Sequence, residues 1–195
     1  MKLKLLLLSF GLFSSIIVAQ TKKFEVSPVV AVEFPFANKA KDSYYKYDYT
    51  LRPSVGAAFK ISFSEKFALQ PELNFQLREV RVLRREDNDA LFRNSLVYVV
   101  IPVYVNYAVT DKFSLLIGPR LGVDLSYSAS YSTGTNGTHS STTGESPEFA
   151  DVFGLQYTTP IKIFLSLKGM YAFTSPDYAE EINEGAIMIG AGWFF

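Results

Sequence analysis

The chain has 195 residues, of which 48% are hydrophobic and 15% aromatic; basic and acidic residues balance at 19 each, and there is no cysteine. A chain of this length holds one domain with a sizeable core. Balanced charge excludes the basic surface that nucleic acid requires, and the missing cysteine excludes a disulfide framework, a thiol nucleophile and a lipoprotein-type anchor.

The first segment is "MKLKLLLLSFGLFSSIIVAQ". Lys2 and Lys4 form a short basic start, an apolar run follows from Leu5 to Val18, and small Ala19 ends it. This is the layout of a secretory signal peptide. Residues 1–19 are expected to be removed, with cleavage after Gln20 as the alternative, leaving 20–195 as one barrel domain. A retained anchor helix is the competing reading, but the run falls short of the ~20 apolar residues of a spanning helix.

Beyond it, period-two alternation dominates, as in half-buried strands. Phe24 to Phe34 sets Phe24, Val26, Val30, Val32 and Phe34 against Glu25, Ser27 and Glu33. The segment "PFANKAKDSYYKYDYT" then reads as a long loop, with Tyr44, Tyr45, Tyr47 and Tyr49 as an interfacial aromatic girdle or a sticky surface for a partner or glycan. Leu51 to Phe63 alternates Leu51, Val55, Phe59 and Ile61 with Arg52, Ser54 and Lys60. Phe67 to Arg78 alternates Phe67, Leu69, Leu73, Phe75 and Leu77 with Gln70, Glu72, Asn74, Gln76 and Arg78.

A second polar loop, "RREDNDALFRN", follows. Ser95 to Ala108 is apolar on both faces, with Tyr98, Tyr104 and Asn106 expected inside. From Phe113 to Ser128 an apolar face meets Ser114, Gly118, Arg120, Gly122 and Asp124. The tract "SASYSTGTNGTHSSTTGESPE" reads as a third loop. Phe149 to Thr158, Lys162 to Thr174 and Glu184 to Phe195 complete the strands, with "SPDYAEEINE" as the last loop.

These runs, roughly 11 to 16 residues where alternation is clearest, exceed the usual five or six of soluble strands and match the ~9–11 that cross a bilayer at a tilt. The connections alternate between tight turns ("SFSEKF", "AVTDKF", "YTTPIK") and long polar loops. That alternation marks an outer-membrane barrel, with short turns in the periplasm and long loops outside. The expected fold is an all-β, eight-stranded antiparallel up-and-down transmembrane β-barrel.

A barrel of that size is filled by side chains. The inward set contains Glu25, Glu33, Glu72 and Asp124 with Arg52, Lys60, Arg120 and Lys168, which predicts a structural polar network plugging the lumen. An ion or proton path through the same charges is the alternative. Pro28, Pro53, Pro71, Pro102 and Pro119 fall within strands, and each removes a ladder hydrogen bond that is expensive to lose in lipid.

Four features carry a family resemblance: "LVYVVIPVYVNY" from Leu96 to Tyr107, "FSLLIGPRLGVDL" from Phe113 to Leu125, "LSLKGMYAF" near the end, and the aromatic last strand. They resemble the PorT-like outer-membrane barrel family of Bacteroidetes over nearly the whole mature chain. The family often has a glutamate just before the Ile-Pro step; Val100 stands there, so any role of that acid is absent. The resemblance implies a place in the cell envelope and, through the name-giving member, a component of a protein secretion apparatus.

Residues for catalysis are scarce. His139 is the single histidine and lies in a low-complexity tract, where a general base would lack supporting groups. It reads as a solvated loop residue, so an outer-membrane lipid-modifying enzyme is the disfavoured alternative. Glu86, Asp87 and Asp89 lack the glycine and distal glutamate of a calcium loop, and the Asn136 triplet reads as chance. No cofactor or metal is expected. A soluble barrel with an apolar cavity is disfavoured by the charges in the polar set. The expected role is a non-enzymatic structural or interaction element acting through its outer loops. Its expected partners are outer-membrane lipid, the barrel assembly machinery (through Trp193 and Phe195 of the aromatic end) and a surface or secretion-system protein.

Overall fold

In a computed structural model, residues 23–37, 45–84, 90–131, 138–141, 147–174 and 184–195 are described. The segment expected to be a signal peptide, Tyr44, the Glu86–Asp87–Asp89 cluster and Asn136 lie outside them. The elements are β1 (Lys23–Ala37), β2 (Tyr45–Tyr49), β3 (Arg52–Ser62), β4 (Phe67–Arg84), β5 (Ala90–Ala108), β6 (Phe113–Tyr131), β7 (Thr138–Ser141), β8 (Glu148–Thr158), β9 (Ile163–Ala172) and β10 (Glu184–Trp193). Every neighbouring pair is antiparallel, and the order β1-β3-β4-β5-β6-β8-β9-β10 returns to β1, closing an eight-stranded barrel. Short β2 extends the β4 ladder beyond the end of β3, and β7 does the same for β6 beyond β8.

Alternation decides which side chains enter the barrel. On β4 Ala68, Gln70, Glu72, Asn74, Gln76 and Arg78 are buried, while Phe67, Leu73, Phe75 and Leu77 are exposed. On β9 Phe164, Ser166, Lys168, Met170 and Ala172 are buried against exposed Leu165, Leu167 and Tyr171. The outside is thus largely apolar, with exposed Asp151 between Phe149 and Phe153 on the outward face of β8, and the inside is a mixed polar core. Exposed aromatics rim both ends of the outer face. Phe24, Phe63, Phe67, Phe113, Trp193 and Phe195 stand at the short-turn end, and Phe34, Phe36, Phe149, Tyr171 and Phe173 near the other.

The two matching turns close alike. Ser64 Oγ accepts from the backbone N–H of Lys66 and Phe67 at 3.3 and 3.0 Å, and Thr110 Oγ1 accepts from Lys112 and Phe113 at 3.3 and 3.0 Å. The hydroxyl closes each turn, while Glu65 and Asp111 stand exposed. In the third turn Thr159 Oγ1 accepts from Ile163 N at 3.1 Å. There Lys162 takes a positive φ of 64°.

Three sequence expectations need correction. "RREDNDALFRN" is mostly strand, because β4 runs to Arg84 and β5 begins at Ala90. Tyr45, Tyr47 and Tyr49 lie in a strand, β2, rather than a loop, where Tyr47 stands opposite Val82 and Tyr49 opposite Val80. His139 lies in β7 opposite Ala129, within a ladder rather than a loop. In each case the polar composition of a loop conceals strands that continue beyond the apolar band, where alternation with lipid no longer constrains residue type.

The prolines align across neighbouring strands. Between β4 and β5 the register runs to Pro71 opposite Val103 and resumes, unshifted, at Asn74 opposite Val100. Between β5 and β6 it runs to Pro102 opposite Arg120 and resumes at Val105 opposite Ile117, skipping Pro119. Between β3 and β4 it skips Pro71 in the same way. The interruptions share a diagonal seam across β3–β6 and leave both flanks in register, so the missing donors face one another's gaps instead of breaking several intact ladders.

Candidate functional site: the charged lumen

In the half of the lumen toward the long connections, six charged side chains from six strands alternate in sign. Arg52 of β3 bonds Glu184 of β10 and reaches Glu33 of β1 at 2.9 Å. The other oxygen of Glu33 accepts from Arg120 of β6 at 2.7 Å. Arg120 stands 3.5 Å from Glu148 of β8, and Arg78 of β4 donates to both oxygens of Glu148 at 2.6 and 3.0 Å. Gln76 ties the chain together: its Nε2 donates to Glu33 at 3.0 Å, and its Oε1 accepts from Arg78 at 2.7 Å and Arg120 at 3.3 Å. The Arg78 guanidinium also lies 4.0 Å from the Tyr98 ring centroid.

All six charged residues are buried. Three acids face three bases, so the cluster carries no net charge. Burying ions is expensive, and mutual attraction offsets the cost only when geometry and hydrogen bonding are nearly complete. The bidentate Arg78–Glu148 pair and the shared carboxylate of Glu33 meet that condition.

A second tier lies closer to the short turns. Lys168 of β9 donates to Glu72 of β4 at 2.9 Å and stands 3.5 Å from the Tyr104 hydroxyl. Glu72 also accepts from Gln70 and Asn74, each at 3.2 Å. Gln70 in turn bonds Gln156 at 3.2 Å and Asn106 at 2.8 Å. Between the tiers is a cavity of about 30 Å³ lined by Glu33, Glu72, Asn74, Tyr104, Arg120 and Lys168 among others, room for a water or two. Below, Phe164 and Phe194 pack at 4.8 Å between centroids with Val29 and Ala58, filling the short-turn end.

Of the eight charges read from the sequence, Glu33, Arg52 and Arg120 join the first tier and Glu72 and Lys168 the second. Three are placed differently. Glu25 sits at the mouth with Lys23 at 3.4 Å and Lys162 at 3.2 Å. Lys60 is opposite Glu25 in the register yet lies 5.6 Å from the Phe194 ring centroid. Asp124 is half-buried, beside the register shift that puts it opposite Tyr98. Conversely, Arg78, Glu148 and Glu184 were not in that set, although stepping back by two from buried Ala150 and Ala186 puts both acids on the inner face. Trp193 and Phe195 project outward, edge to face at 5.7 Å. Among the described residues no group of three or more His, Asp or Glu side chains could hold a metal ion.

The fold recurs in known proteins. The attachment invasion locus protein Ail of Yersinia pestis superposes with a TM-score of 0.52 at 16% identity, over 89% of this chain and 99% of that one. Neisserial surface protein A superposes with a TM-score of 0.52 at 12% identity, over 90% and 100% of the two chains. At such identities the likeness is one of fold. No curated protein matches the sequence. The family described as outer membrane protein beta-barrel domain matches residues 8–177, and the chain therefore belongs to that family and is a protein of the outer membrane.

Proposed function

We propose that the protein is a non-enzymatic outer-membrane barrel whose lumen is closed by its charge network and which acts as a structural or interaction element on its extracellular side. The observation that carries this reading is the unbroken chain Glu184–Arg52–Glu33–Arg120–Glu148–Arg78, which spans the lumen through side chains of six strands. In planar bilayers the purified protein should show almost no steady conductance. Removing the central pair together, as Glu33→Ala with Arg120→Ala, should raise conductance at least several-fold without changing net charge. Free conduction by the unsubstituted protein would overturn the closed lumen.

The interaction side rests on β2, β4, β5, β6 and β7, which continue as a sheet beyond the ends of β1, β3 and β8. A second reading, a component of a protein secretion apparatus, draws on the PorT-like strands Leu96–Tyr107 and Phe113–Leu125, which form adjacent β5 and β6 of that same sheet. In either reading Trp193 and Phe195 are the outward aromatic face offered to the barrel assembly machinery. Crosslinking in intact cells followed by purification tests these partners. Assembly components should appear in newly made protein; stable secretion components in mature protein would favour the second reading, and their absence would remove it.

A further inference from the structure

We propose that the cavity between the two tiers of the lumen is a water-binding site, in which a bound water accepts from Arg120, donates to Asn74 and so links the two charge clusters. The site does not depend on whether the lumen conducts. Among the described residues, the buried atoms Arg120 Nε and Asn74 Oδ1 have no hydrogen-bond partner. Arg120 is 2% exposed and Asn74 9%, and both line the cavity of about 30 Å³. A buried polar atom left unpaired is costly, above all in a charged group.

Neither group can turn to cure the deficit. The other nitrogens of Arg120 are already held: Nη1 donates to Glu33 at 2.7 Å, and Nη2 donates to Gln76 at 3.3 Å and stands 3.5 Å from Glu148. The guanidinium is planar, so these contacts fix where Nε–H points. Asn74 Nδ2 donates to Glu72 at 3.2 Å. Flipping that amide would turn its oxygen onto a carboxylate, so Oδ1 stays an acceptor in want of a donor.

The two atoms ask for opposite things, and that names the ligand. Arg120 Nε–H needs an acceptor and Asn74 Oδ1 a donor. A cation would meet Arg120 and Lys168 in the cavity wall, and an anion would meet Glu33 and Glu72. The occupant is therefore neutral and both donates and accepts. The volume exceeds the ~10–15 Å³ that one water requires and admits nothing much larger. A buried water also wants roughly two to four polar partners, and hydroxyls of the same wall are weakly engaged. Ser54 Oγ lies 3.4 Å from Ala31 O, Ser166 Oγ 3.5 Å from Gly190 O, and the Tyr104 hydroxyl 3.5 Å from Lys168 Nζ. Since Asn74 also bonds Glu72, the water carries hydrogen bonding from Arg120 in the first tier to the Glu72–Lys168 pair in the second.

A crystal structure of the mature barrel, at a resolution that orders water, tests the occupant. Density for a water within hydrogen-bond distance of both Arg120 Nε and Asn74 Oδ1 is expected. An empty cavity, an ion, or a side chain shifted to pair the two atoms directly overturns the site. The link between tiers is tested in solution by urea unfolding in detergent. Arg120→Lys keeps the charge and removes Nε–H; Asn74→Leu removes the acceptor and fills the cavity. Each alone loses the same water, so the double variant should unfold about five-fold less readily than the product of the two single effects predicts. Arg120→Lys with Asn106→Ala, which lies in the second tier but outside the cavity, should combine multiplicatively. Folding of each variant is checked by its heat-dependent electrophoretic shift. Independent effects of Arg120→Lys and Asn74→Leu, or equal coupling to Asn106→Ala, overturn the water link.

Discussion

Lys168 illustrates how the lumen uses single residues. Its amine has Glu72 at 2.9 Å, the Tyr104 hydroxyl at 3.5 Å and the Tyr104 ring centroid at 4.4 Å. Removing it alone as Lys168→Met strands a buried carboxylate and should cost about 3–5 kcal/mol. Adding Glu72→Gln should recover part of that loss, because the unpaired charge is gone and the amide oxygen still accepts from one of Gln70 and Asn74, which donate to different oxygens of the carboxylate. Urea unfolding in detergent, followed through the single Trp193, measures both; a double variant no more stable than the single one would show that the pair is not a coupled unit. The sequence made this pair legible because both residues sit deep inside long alternating runs. It concealed Glu148 and Glu184 because each is the first residue of its strand, preceded by polar loop composition. Lys60 lies opposite Glu25 in the register with its amine over the buried Phe194 ring, while Glu25 at the mouth has Lys23 and Lys162.

At the scale of elements, alternation carried nearly all the information. Apart from the far ends of β4 and β5, which run on past the apolar band to Arg84 and from Ala90, the spanning strands begin and end within a few residues of where the apolar set starts and stops, since lipid on one side and a filled lumen on the other leave no freedom of face. What alternation does not encode is which residues face each other across strands. Gly56 is opposite Asn74, Gly154 opposite Lys168, and Gly192 opposite Phe164. A Cβ at Gly192 would stand 2.5 Å from the Phe164 ring, and one at Gly154 2.9 Å from Lys168 Cγ. Each glycine leaves room for a bulky neighbour to lie across its strand, as aromatic residues do over strand glycines. The proline seam has the same origin: Pro71, Pro102 and Pro119 look like isolated defects along the chain, and only the pairing of β4, β5 and β6 makes them one feature.

At the scale of the whole molecule the barrel is lopsided. Strands β5 and β6 have 19 residues each and β9 and β10 have 10. With ~3.4 Å of rise per residue and a tilt near 40°, the long side overhangs by roughly 20 Å. The overhang is on the side opposite the short turns, so orientation decides whether it meets the cell's surroundings or the periplasm. Short turns face the periplasm in bacterial outer-membrane barrels, which puts the overhang and strand β2 outside. An epitope inserted within residues 85–89 should be labelled by antibody on intact cells. The same epitope inserted between Glu65 and Lys66 should be labelled only after the outer membrane is permeabilised. The reverse pattern would invert the barrel, move the overhang into the periplasm, and with it remove the proposed extracellular role. Because the Glu65–Lys66 turn is exposed and folding is checked by the heat-dependent shift, the labelling pattern reports topology and not misfolding.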